Sequence, residues 1–578
     1  MTMITLGINA VYHDSSATLV RDGNVIAAAE EERFTHIKHA KRPVPFSTWE
    51  LPFHAINYCL AEAGVTLADV DHVAYSYEPA LLSGKAPPLH AIGASRQVSD
   101  DPKATPWTPL FTHYIQNARG QLHDGAPHHL QSRLRLHDGR RPQWHYVEHH
   151  LAHEASAFLA SPFDECAVLT MDGRGELATT SYGAYRGGAY KRLAEVHLPH
   201  SLGLLYEEVT EYLGFLRSSD EYKVMALASY GEPAHADAFR RILRFQEDGQ
   251  YRVGELELVK RFGPPRTPGA PMTQRDFDLA RSLQLVLEET VLSMAQWLHK
   301  QSGMRKLALA GGVALNCVLN AYLRDHGPFD EVWAQPAAGD AGTSLGAALW
   351  IDHRERGSPP RHWRMAHAYL GPGYSDDEIE TFLKWSKLPY RRLANVAEET
   401  ADLLAQDRVI GWFQGRMEFG PRALGARSIL ASPLDARMQA RLNEIKDRED
   451  FRPVAPVVLE ENAGEWFEGA GVAPFMLFVF DVARGKEDRI PAVRHVDGTA
   501  RVQTINREQH PLYYDLIAAF QRRTGVPVLI NTSFNTRGEP IVCTPRDAIE
   551  SFWTSPLDAL VIGSFLLEKS AAAQDAHA

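Results

Sequence analysis

ITLGINAVYHDSSATLVRDGNVIAAAEEERF, residues 4–34, decides how this chain is read. Two apolar runs flank a polar loop at residues 13–16, and Asp22-Gly23 supplies a turn into a third run. That pattern predicts strand, loop, strand, turn, strand. WELPFHAINYCLAEAGV then reads as an amphipathic helix ended by Gly64, and VDHVAYSY as a short strand. The same opening recurs in CAVLTMDGRGELATTSYGAY, residues 166–185, whose VLTMDGRGE loop parallels LGINAVYHD. ARSLQLVLEETVLSMAQWLHKQ is a helix. LALAGGVALNCVLNAYL is a strand, a Gly-Gly turn and a helix, and EVWAQPAAGDAGTSLGAALW repeats that plan.

An α/β pattern that opens twice with a hairpin and closes with Gly-rich strand-to-helix turns follows the plan of the actin/hexokinase-like ATPase superfold. Such turns offer backbone N–H groups and a helix N-terminus to phosphate. The fold class expected is therefore α/β, with a duplicated domain of that superfold over residues 1–360. RERGSPPRHW reads as a linker, and a second α/β domain follows over residues 361–570. In it, DDEIETFL starts a helix, GVPVLINTSFNTRGEPIV is a buried strand and polar loop, TPRDAIESFWTS a helix, and LDALVIGSFLLEK one last strand. Residues 79–145, rich in Pro, His, Gly and Arg, read as an insertion or long loop, and residues 571–578 as a disordered tail.

A length of 578 residues exceeds one ordinary core. A net charge of -12 without a basic stripe argues against nucleic acid as a partner. Four scattered cysteines with no CxxC argue against a disulfide framework or zinc cluster and fit a reducing cytoplasm. Cys317 and Cys543 read as small packing residues. The N-terminal MTMITLGINAVY is too short and uncharged for a signal peptide, and no apolar run approaches a membrane span. A cytoplasmic protein without membrane contact is expected. EEERF at 30–34 reads as a charge cluster closing a strand rather than a cradle for a cationic ligand.

VEHHLAHEASAF, residues 147–158, places His149 and His153 four apart, on one face of a helix. Two imidazoles at that spacing can hold a divalent cation. No Glu lies between them as a metalloprotease needs, and the spacing alone equally fits two histidines without metal.

HHLAHEASAF, GGVALN, GDAGTSLGAA, GPRALGARSILA, DREDFRPVAP and NTSFNTRGEPIV, in this order, resemble the NodU/CmcH-type carbamoyltransferases over almost the whole chain. The length and short C-terminal end are most similar to the antibiotic O-carbamoyltransferases. The resemblance implies a C-terminal domain like YrdC, which makes carbamoyl adenylate from carbamoyl phosphate and Mg2+-bound ATP. It implies an N-terminal domain that passes the carbamoyl group to a hydroxyl of a small natural product, an antibiotic such as an aminoglycoside. A homodimer is the family's expectation.

The resemblance also assigns residues. The YrdC elements KxR and SxN correspond to Lys446 and Arg448 and to Ser533 and Asn535. With Arg422, Arg427, Arg452, Arg501 and Asn531 they would bind ATP and carbamoyl phosphate, Lys446, Arg452, Arg501 and Ser533 acting in catalysis. Arg clamps and a Lys point charge would neutralise phosphate during attack. As a charge run alone, DREDFR reads as a solvated surface. The HxxxH pair becomes a metal site, with Asp340 as the late ligand, Asp172 as a fourth and Fe2+ as the implied ion; His150 falls outside it. Gly311, Gly312 and Asn316 match a nucleotide-side turn, or only a tight strand-to-helix turn. Asp14, ahead of His13, is expected to be the base for the acceptor hydroxyl. The rival readings are a small-molecule kinase of the same superfold and a nucleotide-dependent factor that modifies tRNA or protein.

Overall fold

The computed structural model describes residues 2–40, 51–83, 119, 142–536 and 538–569. It divides into two compact units, one of residues 1–224 and 232–365, the other of residues 225–231 and 366–578. The first unit carries the duplication in its sheets. β1 (Ile4–Asn9), β2 (Ser16–Arg21), β3 (Asn24–Glu30), β4 (His72–Tyr75) and β5 (Gln143–Tyr146) form one sheet in the order β3-β2-β1-β4-β5. β6 (Cys166–Met171), β7 (Ala178–Arg186), β8 (Ala189–His197), then, past a small ribbon of β9 (Leu243–Phe245) and β10 (Tyr251–Val253), β11 (Lys306–Ala310) and β12 (Glu331–Ala334) build the second, ordered β8-β7-β6-β11-β12. Strand order and sense match: a hairpin pair antiparallel to the central strand on one side, two parallel strands on the other. This is the actin/hexokinase-like plan. The apolar runs of β1, β6 and β11 are buried on both faces, as parallel-strand neighbours require.

Each half ends in a helix after its fifth strand, His149–Phe158 in the first and Ala341–Glu355 in the second. The two helices cross at very short range. A Cβ at Gly346 would sit 1.7 Å from the Ala152 carbonyl oxygen and 2.7 Å from the Ser156 nitrogen. Gly7 of β1 admits the same helix, since a Cβ there would meet the Ser344 carbonyl at 2.0 Å. The helix 274–302 leads into β11, started by a capping box of Thr273 and Asp276 and ended by left-handed Gly303.

The second unit holds an eight-stranded mixed sheet of β13 (Arg391–Arg392), β14 (Ile410–Phe413), β15 (Arg427–Ala431), β16 (Ala455–Leu459), β19 (Gln503–Ile505), β20 (Val528–Ser533), β21 (Ala559–Ile562) and β22 (Phe565–Glu568), beside a ribbon of β17 (Val479–Asp481) and β18 (Thr499–Arg501). The order is β13-β22-β21-β14-β15-β20-β16-β19.

Two expectations are corrected. The last strand is a hairpin: Gly563, at φ 52°, turns β21 back as β22. At the end of 79–145, residues 143–145 are not loop but, with Tyr146, the edge strand β5, paired parallel to β4. Four residues give too short a pattern to read in a His- and Pro-rich context. Residues 84–118 and 120–141 of that segment, and the tail, lie outside the described residues.

Because backbone faces backbone at the helix crossing, overpacking cannot be relieved by rotamers. Gly346→Val is expected to lower stability by at least about 3 kcal/mol. Thermal unfolding checks this against Gly254→Ala, where a Cβ would meet its nearest neighbour, the Ile242 carbonyl, at an ordinary 3.5 Å.

Candidate active site

The helix crossing delivers four ligand-type side chains to one place. His149 and His153 share a face of the first closing helix, and Asp340 stands immediately before the second, its side chain making no capping hydrogen bond. Asp172 follows β6. Their Nε2 and carboxylate oxygens all lie within 4.8 Å of one another, and all four residues are buried. His149 Nε2 stands 3.2 Å from His153 Nε2, 3.5 Å from Asp340 and 3.7 Å from Asp172. His153 Nε2 lies 3.6 Å from Asp340 and 3.9 Å from Asp172. Burial opposes charge on His149, yet Asp340 and Asp172 hold its imidazole well above its usual range. Histidine contacts hold both carboxyls below theirs.

Two buried carboxylates side by side are costly without a cation between them. The donor set and the inward-facing Nε2 atoms fit a divalent ion; two His and two carboxylates suit iron, manganese or zinc alike. The cage is held from outside. His149 Nδ1 lies 3.4 Å from the Ser76 carbonyl. Gly312 N donates to Asp172 Oδ1 at 2.8 Å. Buried Glu176 accepts the His149 backbone N–H at 3.0 Å and that of Glu78 at 2.6 Å, and burial pushes its carboxyl up to about 7. Arg192 of β8 grips Glu148, just before the helix, at 2.7 Å, and fully buried Glu154, just after His153, at 2.7 Å. His150 turns away, to the Ser181 hydroxyl at 3.2 Å.

Asp14 and His13 sit beside this cage. Asp14 Oδ2 comes within 3.9 Å of where a Cβ on Gly339 would be, one residue before Asp340. A residue not foreseen from sequence, His39, joins them: its Nδ1 is 2.8 Å from Asp14 Oδ1, while His13 Nδ1 is 3.0 Å from Asp14 Oδ2. Nothing in THIKHAK marks His39, because the contact spans 25 residues of turn-rich chain.

The turn Gly311–Asn316 has structural work of its own. A Cβ at Gly311 would strike the Met171 carbonyl at 2.2 Å, and Gly311 adopts φ 85°. Asn316 caps the helix Cys317–His326 through the Leu319 N–H and donates to Gln284 at 2.8 Å. Glu30 and Glu32 of EEERF pair with buried Arg33 at 3.1 and 2.8 Å, as a closing charge cluster does.

In the second unit, KxR and SxN meet across nearly ninety residues. Lys446, buried, directs Nζ to Asn535 Oδ1 at 2.7 Å, the Asn535 carbonyl at 2.9 Å, the Ser533 carbonyl at 2.5 Å and Ser533 Oγ at 3.3 Å. Ser533 Oγ donates to Asn535 Oδ1 at 2.8 Å. Burial, then the charges of Arg448 and Arg452, push the Lys446 pKa well below the lysine range. Arg448 is itself oriented by Asn443 at 2.6 Å. Arg501 lies on β18, and Arg422 in the loop between β14 and β15.

Two residues of the expected cationic pocket are placed otherwise. Arg427 is fully buried, stacks on Phe413 at 3.6 Å, and spends its guanidinium on the carbonyls of Gln414, Gly415, Ala426 and Pro372. It fastens the GPRALGARS loop and is not offered to a phosphate. Asn531 is buried too, donating to Gln503 at 2.8 Å and the Ala423 carbonyl at 3.2 Å. A basic or amide residue in a motif carries no mark of which way a strand will turn it.

Purified protein is expected to hold about one divalent ion per chain by elemental analysis, and His149→Ala or Asp340→Asn to reduce it to background. Arg192→Met leaves Glu154 buried and unpaired; it is expected to lower stability by about 3 kcal/mol and metal affinity by about 10-fold, read by thermal unfolding and metal titration.

The carbamoyltransferase N-terminus family model matches residues 4–349, and the carbamoyltransferase C-terminus model residues 401–569. An uncharacterized protein of Synechocystis sp. is 41% identical, over 98% of this chain and 97% of its own length. Nodulation protein NolNO of Sinorhizobium fredii is also 41% identical, over 98% of this chain and 80% of its own. Nodulation protein U of Rhizobium fredii is 29% identical over 91% and 89%. The chain therefore belongs to the carbamoyltransferase family and is a carbamoyl-transferring enzyme.

Proposed function

We propose that the protein is an ATP-dependent O-carbamoyltransferase working in two stages. The second unit converts carbamoyl phosphate, one water and ATP into carbamoyl adenylate, with water splitting off phosphate to leave carbamate and the carbamate oxygen displacing pyrophosphate from the α-phosphate. The first unit transfers the carbamoyl group to a hydroxyl of a small natural product, releasing AMP. One observation carries the reading: among the described residues, buried Lys446 donates to neutral acceptors only, with Arg448 and Arg452 near enough to depress it. A buried ammonium with no carboxylate among these partners suits a site completed by an anion. Phosphate groups supply that anion, and Arg448, Arg452, Arg422 and Arg501 can add bidentate contacts as charge develops in attack on the α-phosphate. Ser533 and Asn535 hydrogen-bond carbamate or ribose without adding charge.

In the first unit, His149, His153, Asp172 and Asp340 would hold the divalent ion. When bound, such an ion polarises a carbonyl or steadies a phosphate. The protein's own residues do the rest: Glu176 and Arg192 fix the helix that carries the histidines, and the Asp14 cluster receives the proton of the acceptor. The acceptor is proposed to be an aminoglycoside, ahead of a β-lactam intermediate, a macrolactam or a lipo-oligosaccharide. The protein is taken to act in the cytoplasm, where ATP and carbamoyl phosphate are made, and as a homodimer.

The first test is exchange of labelled pyrophosphate into ATP with no acceptor present. Exchange that requires carbamoyl phosphate is expected, with Lys446→Ala and Ser533→Ala abolishing it and His149→Ala sparing it. Formation of ADP only on addition of an alcohol would instead make the protein a kinase. Exchange lost in His149→Ala would assign adenylation to the metal-bearing unit and overturn the division of labour.

A further inference from the structure

Transfer to an alcohol needs a group that removes the hydroxyl proton, and hydrogen-bond accounting singles out which atom near the cage can do so. His13 Nδ1 faces Asp14 Oδ2 at 3.0 Å, and its Nε2 faces the Ser218 carbonyl at 2.6 Å. A carboxylate and a carbonyl only accept. Both ring nitrogens of His13 therefore donate, and the ring is an imidazolium. In the same direction, although burial opposes it, Asp14 raises the His13 pKa to about 10. A ring that keeps its proton cannot serve as the base. Asp14 is no better suited. Each of its oxygens receives an imidazole N–H, and against the cost of burial His13 and His39 hold its carboxyl well below the usual range.

His39 is different. Its Nδ1 faces Asp14 Oδ1 at 2.8 Å and so carries a proton. Its ring lies 3.9 Å, centroid to centroid, from that of His13. Two imidazolium rings at that distance repel, and the charge of Asp14 is already matched by one of them. His39 Nε2, unlike His13 Nε2, faces no obligate acceptor: it is turned toward a hydroxyl, that of Ser219 at 3.1 Å, which can donate to it. About a quarter of its side chain is exposed, so an acceptor can reach it. A carboxylate orienting an imidazole whose far nitrogen faces a hydroxyl is the arrangement that activates alcohols in acyl transfer. The backbone points to the same place. Asp14, His39 and Ser218 come from three separate segments, and each is a non-glycine residue at positive φ, 46°, 63° and 57°. Such strain persists only where the surroundings enforce it, and it gathers at active sites.

We infer that His39 Nε2 is the general base of carbamoyl transfer, oriented through Nδ1 by Asp14, with His13 as the fixed cation that holds Asp14 in place. The inference rests on the transfer reading above. In the step, the acceptor O–H bond breaks and its proton passes to His39 Nε2. The oxygen bonds to the carbamoyl carbon, the bond from that carbon to the phosphate oxygen breaks, and AMP leaves with the electron pair. The ring then returns its proton to water through its exposed edge.

Two measurements test it. Long-range proton–nitrogen spectra of histidine-labelled protein at mildly alkaline pH, assigned with His13→Gln and His39→Gln, should show His39 protonated on Nδ1 alone and His13 on both nitrogens. A proton on His39 Nε2 overturns the assignment whatever the enzyme transfers. In kinetics, His39→Gln should keep pyrophosphate exchange, and AMP release to hydroxylamine, which attacks without prior deprotonation, within about twofold. AMP release to ethylene glycol should fall about 10²–10⁴-fold. Equal losses with the two nucleophiles, or loss of exchange, overturn the base role. Absence of exchange in the unaltered enzyme removes the adenylate reading instead, and the spectra alone then decide His39.

Discussion

The carbonyl oxygen of Ala152 occupies the space in which a side chain at Gly346 would begin. That contact sets the distance between the two closing helices, and the chemistry of the first unit follows from it. Ala152 lies one residue before His153, and Gly346 lies six after Asp340. Were the helices at the usual 8–10 Å of side-chain-mediated packing, Asp340 could not reach the two imidazoles. Ala347 of the second helix packs in one apolar cluster with Ala152 of the first, and Ala348 lies against Gly7 of β1. The duplication supplies the crossing, since each half ends in a helix after its fifth strand.

The two units handle charge in opposite ways. In the first, carboxylates and imidazoles converge, and Arg192, Glu176 and Gly312 keep the converging groups from rearranging. A buried pair such as Arg192 and Glu154 adds little net stability, because desolvation offsets attraction. What it provides is a fixed helix, so that ligand positions survive an unfavourable local field. In the second unit a lysine is buried against carbonyls and a serine, with arginines behind it. In charge, the first arrangement leans toward a cation and the second toward an anion, the bias on which the proposed binding roles rest.

Local rules read the backbone well. The hairpin at residues 4–34, its echo at 166–185 and the Gly-rich turns were legible because strand alternation and turn chemistry act over a few residues. His149 and His153 were legible as a pair for the same reason, since a helix fixes spacing. Asp172, Asp340, Lys446 and Ser533 entered through family resemblance, and no local pattern would have joined them. His39, Glu176 and Arg192 were not foreseen at all. His39 sits in a left-handed kink, and Glu176 and Arg192 act from a loop and a strand whose neighbours are set by sheet order. Arg427 and Asn531 show the converse error: motif residues of suitable chemistry that burial commits to carbonyls and to Gln503.

By itself the sequence determined that this is a duplicated α/β chain with a second α/β domain, that two histidines share a helix face, and that the chain resembles a carbamoyltransferase. Those properties follow from periods of two and 3.6 residues and from motifs in order. Only the tertiary structure decided which carboxylates meet those histidines, that Arg427 and Asn531 turn to protein partners, and which two imidazoles meet Asp14. The physical reason is that protonation and charge depend on neighbours within a few ångströms, and those neighbours are brought there by helix crossings and strand pairings that join residues far apart in the chain.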